Sequence, residues 1–286
     1  MKAYISVGLG DMMSLDALLT DEEKEAITEI YWACRWGIQL VPLLRGNKFY
    51  PNLTSQYTIK DEVGKRHMVT LEPHASEFWH FRPDFDRNFD VGLKLFDLER
   101  EQVGVIDAVS ILKDPSRTYQ HSSFLAMARA EDVQWGELET QPEEYILFHY
   151  PTATRRSRND IATIEEGDWA FVENLSKSEN KRVVVITDAD ITPPLSNVVV
   201  LKNPPIKIIT SLCKHCAFYV GCDSFVSLLA CKKLAPANLY VKGHDYTKTH
   251  GHDIKTEILK SVWLQNHFSP HPPEQIVQFY KSMIGA

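Results

Sequence analysis

Residues 3–19 read AYISVGLGDMMSLDALL. Residues 3–7 form an apolar strand, and Gly8-Leu9-Gly10-Asp11 makes a tight loop. Met12, Met13, Leu15, Leu18 and Leu19 then recur at helical spacing. A strand that empties into a glycine-bearing loop and then a helix opens an α/β unit. Residues 145–158, YILFHYPTATRRSR, repeat the opening: a strand over 145–149, a loop, then a basic run. Two such starts, at residues 3 and 145, predict two Rossmann-like halves rather than one long sheet. The 286 residues allow it, at roughly 100–200 residues per domain.

Working outward from the first opening, the text predicts a strand over 29–34, a helix over 36–44, and short strands near 56–59 and 67–71. Residues 72–90 (EPHASEFWHFRPDFDRNFD) carry no sustained period and read as a long aromatic excursion, the kind of segment that more often serves function than idles. The first half resumes with a strand over 102–108 and a helix over 121–130. The divide is expected near residue 140, where QWGELETQPEE carries Gly, Pro and acids. The second half predicts a helix over 169–175 and buried strands over 181–187 (KRVVVIT) and 197–201. A helix over 206–216, a strand over 217–220, a helix through 232 and a strand over 238–241 follow. The expected domains are thus 1–140 and 141–270, with a last helix in 271–286 crossing back to the first half.

Composition narrows the function classes. The 44% hydrophobic and 24% charged residues exclude wholesale disorder. A net charge of −7 argues against a broadly basic nucleic-acid coat, though a local basic groove stays open. No apolar run approaches the ~20 residues that cross a bilayer, and the start of the chain lacks a secretory pattern. The five cysteines (Cys34, Cys213, Cys216, Cys222, Cys231) are an odd set without a disulfide framework. Reduced thiols in a cytoplasmic protein are expected.

Three motifs carry chemistry. Gly8 and Gly10 let backbone pass close to a ligand, and the helix after them offers unpaired N–H groups, with Asp11 at its start. The same string also suits a plain Asp cap after a turn. Methionine at position 13 sets it apart from the GxGxxG of dinucleotide sites. Next, Gly221-Cys222-Asp223-Ser224-Phe225 leads from a strand into a helix. An acid and a hydroxyl there can hold a sugar hydroxyl, while backbone N–H groups take a diphosphate; a simple cap reads identically. Last, Thr152, Arg155 and Arg156, with Arg158 beyond, can form a phosphate clamp through guanidinium forks, against the alternative of a solvated basic loop.

Together these motifs resemble the heptosyltransferase-like family of GT-B glycosyltransferases, the ADP-heptose:lipopolysaccharide transferases and their relatives. VGLGDMMSLDALL is similar to the family's GxGD loop and apolar helix, and YILFHYPTATRRSR to its H-P-G/A strand end with a basic loop. Asp223-Ser224-Phe225-Val226-Ser227-Leu228-Leu229-Ala230 stands at its D-[ST]-G-x-x-H-L-A. Phe225 replaces the usual Gly there, Ser227 replaces the usual His, and residues 45–130 align with nothing in the family.

The resemblance implies a GT-B fold, two Rossmann-like domains facing across a cleft, and a nucleotide-sugar donor as co-substrate with no other cofactor and no metal. It implies Asp11 as the general base on an acceptor hydroxyl. Gly8, Gly10, Thr152, Arg155, Arg156, Lys202, Asp223, Ser224, Phe225 and His244 would then serve the donor. Trp79, His80 and Arg82 in the aromatic excursion can stack on an acceptor, or form a small satellite core. A saccharide is the expected acceptor, with a modified nucleobase, other nucleic acid or small molecule as further options. Rival readings are a sugar-nucleotide epimerase or hydrolase on the same fold and a non-catalytic nucleotide-binding or assembly module. Cys213-Lys214-His215-Cys216 invites a zinc reading, but a second CxxC is missing, and buried structural thiols are expected instead. His244, His250 and His252 follow the strand over 238–241 and could approach the donor or bind a metal, against a plain polar loop; because GT-B transferases generally do not depend on a metal, the resemblance favours donor contact by His244 or no role.

Overall fold

The computed structural model describes residues 1–5, 9–33, 37–44, 47–56, 93, 96–105, 111, 116–117, 122–150, 166–222, 224–234 and 238–242. The chain forms two compact units, Met1–Met127 and Ala128–Ala286. Both are parallel α/β.

Unit one holds β1 (Lys2–Ile5), α1 (Leu9–Leu18), α2 (Asp21–Ala26), β2 (Glu29–Ala33), α3 (Gly37–Leu44), β3 (Leu53–Gln56), β4 (Gly104–Val105) and the single turn α4 (Ser123–Ala126). Its strands are parallel in the order β3-β2-β1-β4. α1 starts a turn earlier than its methionines suggest, because Leu9, buried like Met12, Met13 and Leu15, already belongs to the apolar stripe. Gly10 and Asp11 therefore lie in the first turn of α1, not in a loop before it.

α2 escapes a hydrophobic-period reading because DEEKEA is nearly all charge. Its signal is the capping box instead. The Thr20 amide donates to Glu23 Oε2 at 2.9 Å, and the Glu23 amide donates to Thr20 Oγ1 at 3.2 Å. β3 lies a few residues before its predicted place, in register with β2 from Ile30↔Leu53 to Ala33↔Gln56. Tyr4 packs with Leu93 and Phe96, the two rings 6.3 Å apart edge to face.

Unit two holds β5 (Tyr145–Tyr150), α5 (Glu166–Glu179), β6 (Arg182–Thr187), β7 (Val198–Lys202), α6 (Ile206–His215), β8 (Phe218–Cys222), α7 (Phe225–Lys233) and β9 (Leu239–Lys242). The order is β7-β6-β5-β8-β9, all parallel. Central strands of such sheets are covered on both faces, which is why YILF and VVVI read as unbroken apolar runs. On one face Ile146, Phe148, Val183, Val185 and Val220 pack against Trp169, Phe171, Val172 and Leu175 of α5. On the other, Tyr145 and Leu147 are buried, and Tyr145 donates to the Leu212 carbonyl at 2.6 Å.

Unit two begins at Ala128, ahead of the expected divide near 140, and the helix expected over 121–130 is shorter. Polar ties explain both. Lys214 Nζ donates to the Ala128 carbonyl at 2.7 Å, Ser211 Oγ donates to that of Arg129, and the Trp135 ring packs tilted against Tyr145 at 5.7 Å. These bonds hold 128–135 against α6 and the start of β5.

The same corner buries His215 Nε2, with no hydrogen-bond partner among the described residues, edge-on to the Trp135 ring at 6.2 Å and 90°. Burial, then the Lys214 and Lys233 charges, hold its pKa below the ordinary histidine value. The unfolded chain therefore takes up a proton near pH 6.5 that the folded chain refuses, and stability falls as pH drops below about 6.5. The urea midpoint should decline between pH 7 and 5.5 in the wild type and decline less in His215→Gln. Equal slopes would remove His215 as the cause.

Candidate functional site

In open parallel sheets ligands bind at the carboxyl ends of the strands, where the strand order reverses. In unit two that point lies between β5 and β8, since the chain leaves β5 for β6 on one side and returns to β8 on the other. Three side chains converge there. Ser224 Oγ lies 3.2 Å from His149 Nδ1, and the Tyr219 hydroxyl lies 3.4 Å from the same nitrogen.

The register makes this meeting inevitable. Leu147 pairs with Tyr219, and side chains two apart share a face. His149 and Gly221 are thus the next residues along that face. Gly221 has to lack a side chain: a Cβ would come within 2.5 Å of the Tyr219 hydroxyl, 2.8 Å of its Cζ and 3.0 Å of His149 Cβ. The glycine at the strand end exists for the tyrosine ring lying over it.

Ser224 is the N-cap of α7. Its Oγ accepts from the Ser227 amide at 3.4 Å, while its own amide donates to Ser227 Oγ at 3.1 Å. Ser227 is fully buried and also donates to the Ser224 carbonyl at 2.6 Å. This gives the departure from the expected histidine a physical role: at position 227 a small hydroxyl closes a capping box. With the cap in place, the remaining first-turn N–H groups of α7 and its positive dipole end face the strand ends. Phe225 is the first residue of that helix.

In unit one the equivalent switch point lies between β1 and β4. Gly10 and Asp11 occupy the first turn of α1, which starts there. The far end of α1 is clamped: Arg117 donates to the Leu18 carbonyl at 3.1 Å and forks onto Glu23 at 2.7 and 2.8 Å. The Arg117 hydrogen bond holds the Glu23 carboxyl below the usual carboxylate range.

Lys202 ends β7, two strands away from β5, and donates to Asp190 Oδ2 at 2.6 Å. It does not join the His149–Tyr219–Ser224 cluster. Gly8, Trp79, His80, Arg82, Thr152, Arg155, Arg156, Asp223 and His244 lie outside the described residues. Cys213 and Cys216 are buried, and burial pushes the Cys216 thiol up to about 12. Among the described residues no group of three or more His, Cys, Asp or Glu is placed to hold a metal ion. No helix among them is long and apolar enough to cross a membrane.

His149 and Gly221 stand inside the strand-end motifs, but those motifs do not show that they, or Tyr219, belong to the site. The available signal was a histidine one residue from the end of an otherwise apolar strand.

No protein-family model and no curated protein matches the chain. Solved structures do. The chain is 12% identical to the dodecameric iron-containing heptosyltransferase TibC in complex with ADP-D-beta-D-heptose, with a TM-score of 0.47 over 100% of this chain and 79% of that one. It is 13% identical to E. coli heptosyltransferase WaaC with ADP, with a TM-score of 0.42 over 97% and 100%. It is 10% identical to UDP-GlcNAc 2-epimerase from Methanocaldococcus jannaschii, with a TM-score of 0.42 over all of both chains. At these scores the likenesses carry no argument about activity. The two parallel Rossmann-like sheets stand on their own strand order.

Proposed function

We propose that the chain is a GT-B-type glycosyltransferase of the cytoplasm, moving a sugar from a nucleotide-diphosphate donor to a hydroxyl acceptor. The observation that carries this reading is the convergence of His149 and Ser224 on the N-terminus of α7, at the switch point of the second sheet. There the donor diphosphate would meet first-turn N–H groups, the Ser224 hydroxyl and the His149 ring. Thr152, Arg155 and Arg156 would sit near the phosphates and the helix opened by Asp223, Ser224 and Phe225 on the diphosphate, with the segment from Lys202 toward the base and His244 toward the donor. As the glycosidic bond breaks, negative charge grows on the leaving diphosphate. Fixed dipoles and guanidinium groups stabilise that state more than the ground state, so the proposed reaction is metal-independent.

Asp11 would take the proton from the acceptor hydroxyl as its oxygen attacks the anomeric carbon. Gly8 and Gly10 would let the reactants approach the backbone. A saccharide is the proposed acceptor, with Trp79, His80 and Arg82 as its contacts; a modified nucleobase or a small hydroxylated molecule fits the same chemistry. One observation favours a second reading. The imidazole beside the cap is an acid–base group that simple transfer does not need, and a sugar-nucleotide epimerase or hydrolase on this fold would use one.

Thermal-shift titration with UDP, GDP, ADP and CMP and their sugars tests the donor site. At least one should raise Tm in the wild type and raise it less in Ser224→Ala; no shift across the panel would refute the proposal. Incubating the bound donor without acceptor then separates the readings, since turnover without acceptor marks the epimerase or hydrolase. In an acceptor assay Asp11→Asn should lose transfer while keeping donor affinity, and unchanged turnover would take Asp11 out of the base role.

A further inference from the structure

We propose that Asp16 is a positioning residue: its buried carboxylate fixes the rotation of α1 about its axis, and with it the setting of Asp11 in the first turn. The functional half of this inference rests on the reading of Asp11 as the base of the proposed transfer. The structural half rests on the packing of α1 alone.

α1 is buried all round. Met12, Met13, Leu15, Ala17 and Leu18 are each at most 2% exposed. At about 3.6 residues per turn, those positions leave no gap wider than about 100° around the axis. A helix of that kind has no polar side to mark its orientation. Apolar burial is non-directional and methionine side chains re-pack easily, so hydrophobic contact holds α1 in place without choosing its rotation. Hydrogen bonds do choose, because they weaken steeply away from their preferred angle.

Asp16 supplies such directed contacts. Its two oxygens receive the Lys24 ammonium of α2, the Tyr50 hydroxyl ahead of β3, and the Ser122 hydroxyl and Ser123 amide at the start of α4. These partners are themselves held: Lys24, Ser122 and Ser123 are buried, and the buried Tyr50 ring packs tilted against Phe124 of α4 at 6.4 Å. Three neighbouring segments thus fix one side chain of α1 from different directions. Apolar side chains of similar volume often stabilise a core as well as a buried ion pair does, so what the pair adds here is a single orientation. The lever is long enough to matter. Asp11 lies on the same helix, about 7.5 Å along the axis from Asp16. A turn of about 10° moves a side-chain end about 5–6 Å from the axis by about 1 Å. A displacement of about 1 Å at a reacting group is enough to cost about 100-fold in rate.

The double variant Asp16→Leu/Lys24→Met separates orientation from stability, because it removes both charges and keeps most of the volume. Assayed well below its melting temperature, it should lose kcat for sugar transfer by about 10- to 100-fold. Its donor Kd should stay within about twofold, since the proposed donor site belongs to unit two. Methyl spectra of protein labelled at its six methionines report the helix setting without any activity assay. Met12 and Met13, assigned by Met12→Leu and Met13→Leu, should each give one sharp line in the wild type. In the double variant both should broaden or split. Tyr50→Phe keeps the ion pair and the ring, and covers the case of a double variant that does not fold. It should broaden the same two lines and lower kcat severalfold. Sharp single lines in a folded variant, or kcat within about twofold of the wild type, would overturn the inference. If the wild type transfers no sugar, the base role of Asp11 falls, and the methionine lines still decide whether Asp16 sets α1.

Discussion

Asp16→Ala should destabilise the first unit by about 3–5 kcal/mol, the cost of stranding one member of a buried ion pair. Asp16 lies on α1 with no exposed surface, and Lys24 of α2 is 3% exposed. The Lys24 ammonium sits 3.3 Å from Asp16 Oδ1 and 4.9 Å from the centre of the Phe49 ring. Tyr50 donates to Oδ1, while Ser122 Oγ and the Ser123 amide donate to Oδ2 at 2.9 and 2.7 Å. Every acceptor site of the carboxylate is used, and three other segments, at Lys24, Tyr50 and Ser122–Ser123, meet on it. Burial, then the nearby carboxylate, raise the Tyr50 pKa, so its phenol stays a donor across the usable pH range.

Removing the carboxylate leaves an ammonium, a phenol, a hydroxyl and an amide buried without their partner. At about 2–4 °C per kcal/mol the melting temperature should fall by roughly 6–20 °C, with amide exchange accelerated first in α1 and α4. A loss under about 1 kcal/mol would show that water fills the site. The double variant Asp16→Leu/Lys24→Met should recover part of the loss, because replacing both charges removes the stranded one.

Phe148→Ala should cost the second unit a similar 3–5 kcal/mol, through the lost transfer energy and the cavity left in a core that cannot collapse. Phe148 is fully buried at the centre of β5. Its ring meets Trp169 edge to face at 4.9 Å and Tyr150 at 5.9 Å, contacts that add to simple burial. Strands β6 and β8 flank it, so the surrounding backbone is fixed by ladders on both sides. Phe148→Leu keeps most of the volume and should cost less than half as much. Urea unfolding followed by tryptophan fluorescence measures both, since Trp169 reports on the same cluster. Equal costs would mean that the ring contacts, which leucine also loses, outweigh the volume it keeps.

Much of the fold was legible because parallel strands write themselves plainly. KRVVVIT and YILF are continuous apolar runs, and such runs bounded by turn residues have few other destinations. The opening at residues 3–19 and the Gly221–Phe225 motif likewise placed Gly10 and Asp11 at one strand end and Ser224 at another. Less legible were elements defined by contacts rather than pattern. α2 is almost wholly charged and declares itself only through Thr20 and Glu23. The segment after Met127 belongs with α6 because of Lys214 and Ser211, more than 80 residues away, and no local period records such bonds.

What the sequence by itself determined is the architecture, two parallel α/β halves, and the residue types at their strand ends. Those follow from local rules: apolar period, glycine, helix caps. What only the tertiary structure decided is which of those residues meet. His149, Tyr219 and Ser224 come from two strands and a helix cap, joined by a β5–β8 register set through a crossover of some 70 residues. Asp16, Lys24, Tyr50 and Ser122 were each unremarkable in the text, yet they share one buried charge. A hydrogen bond between distant segments depends on a distance of a few ångströms. Packing the whole unit sets that distance, and one-dimensional spacing does not encode it.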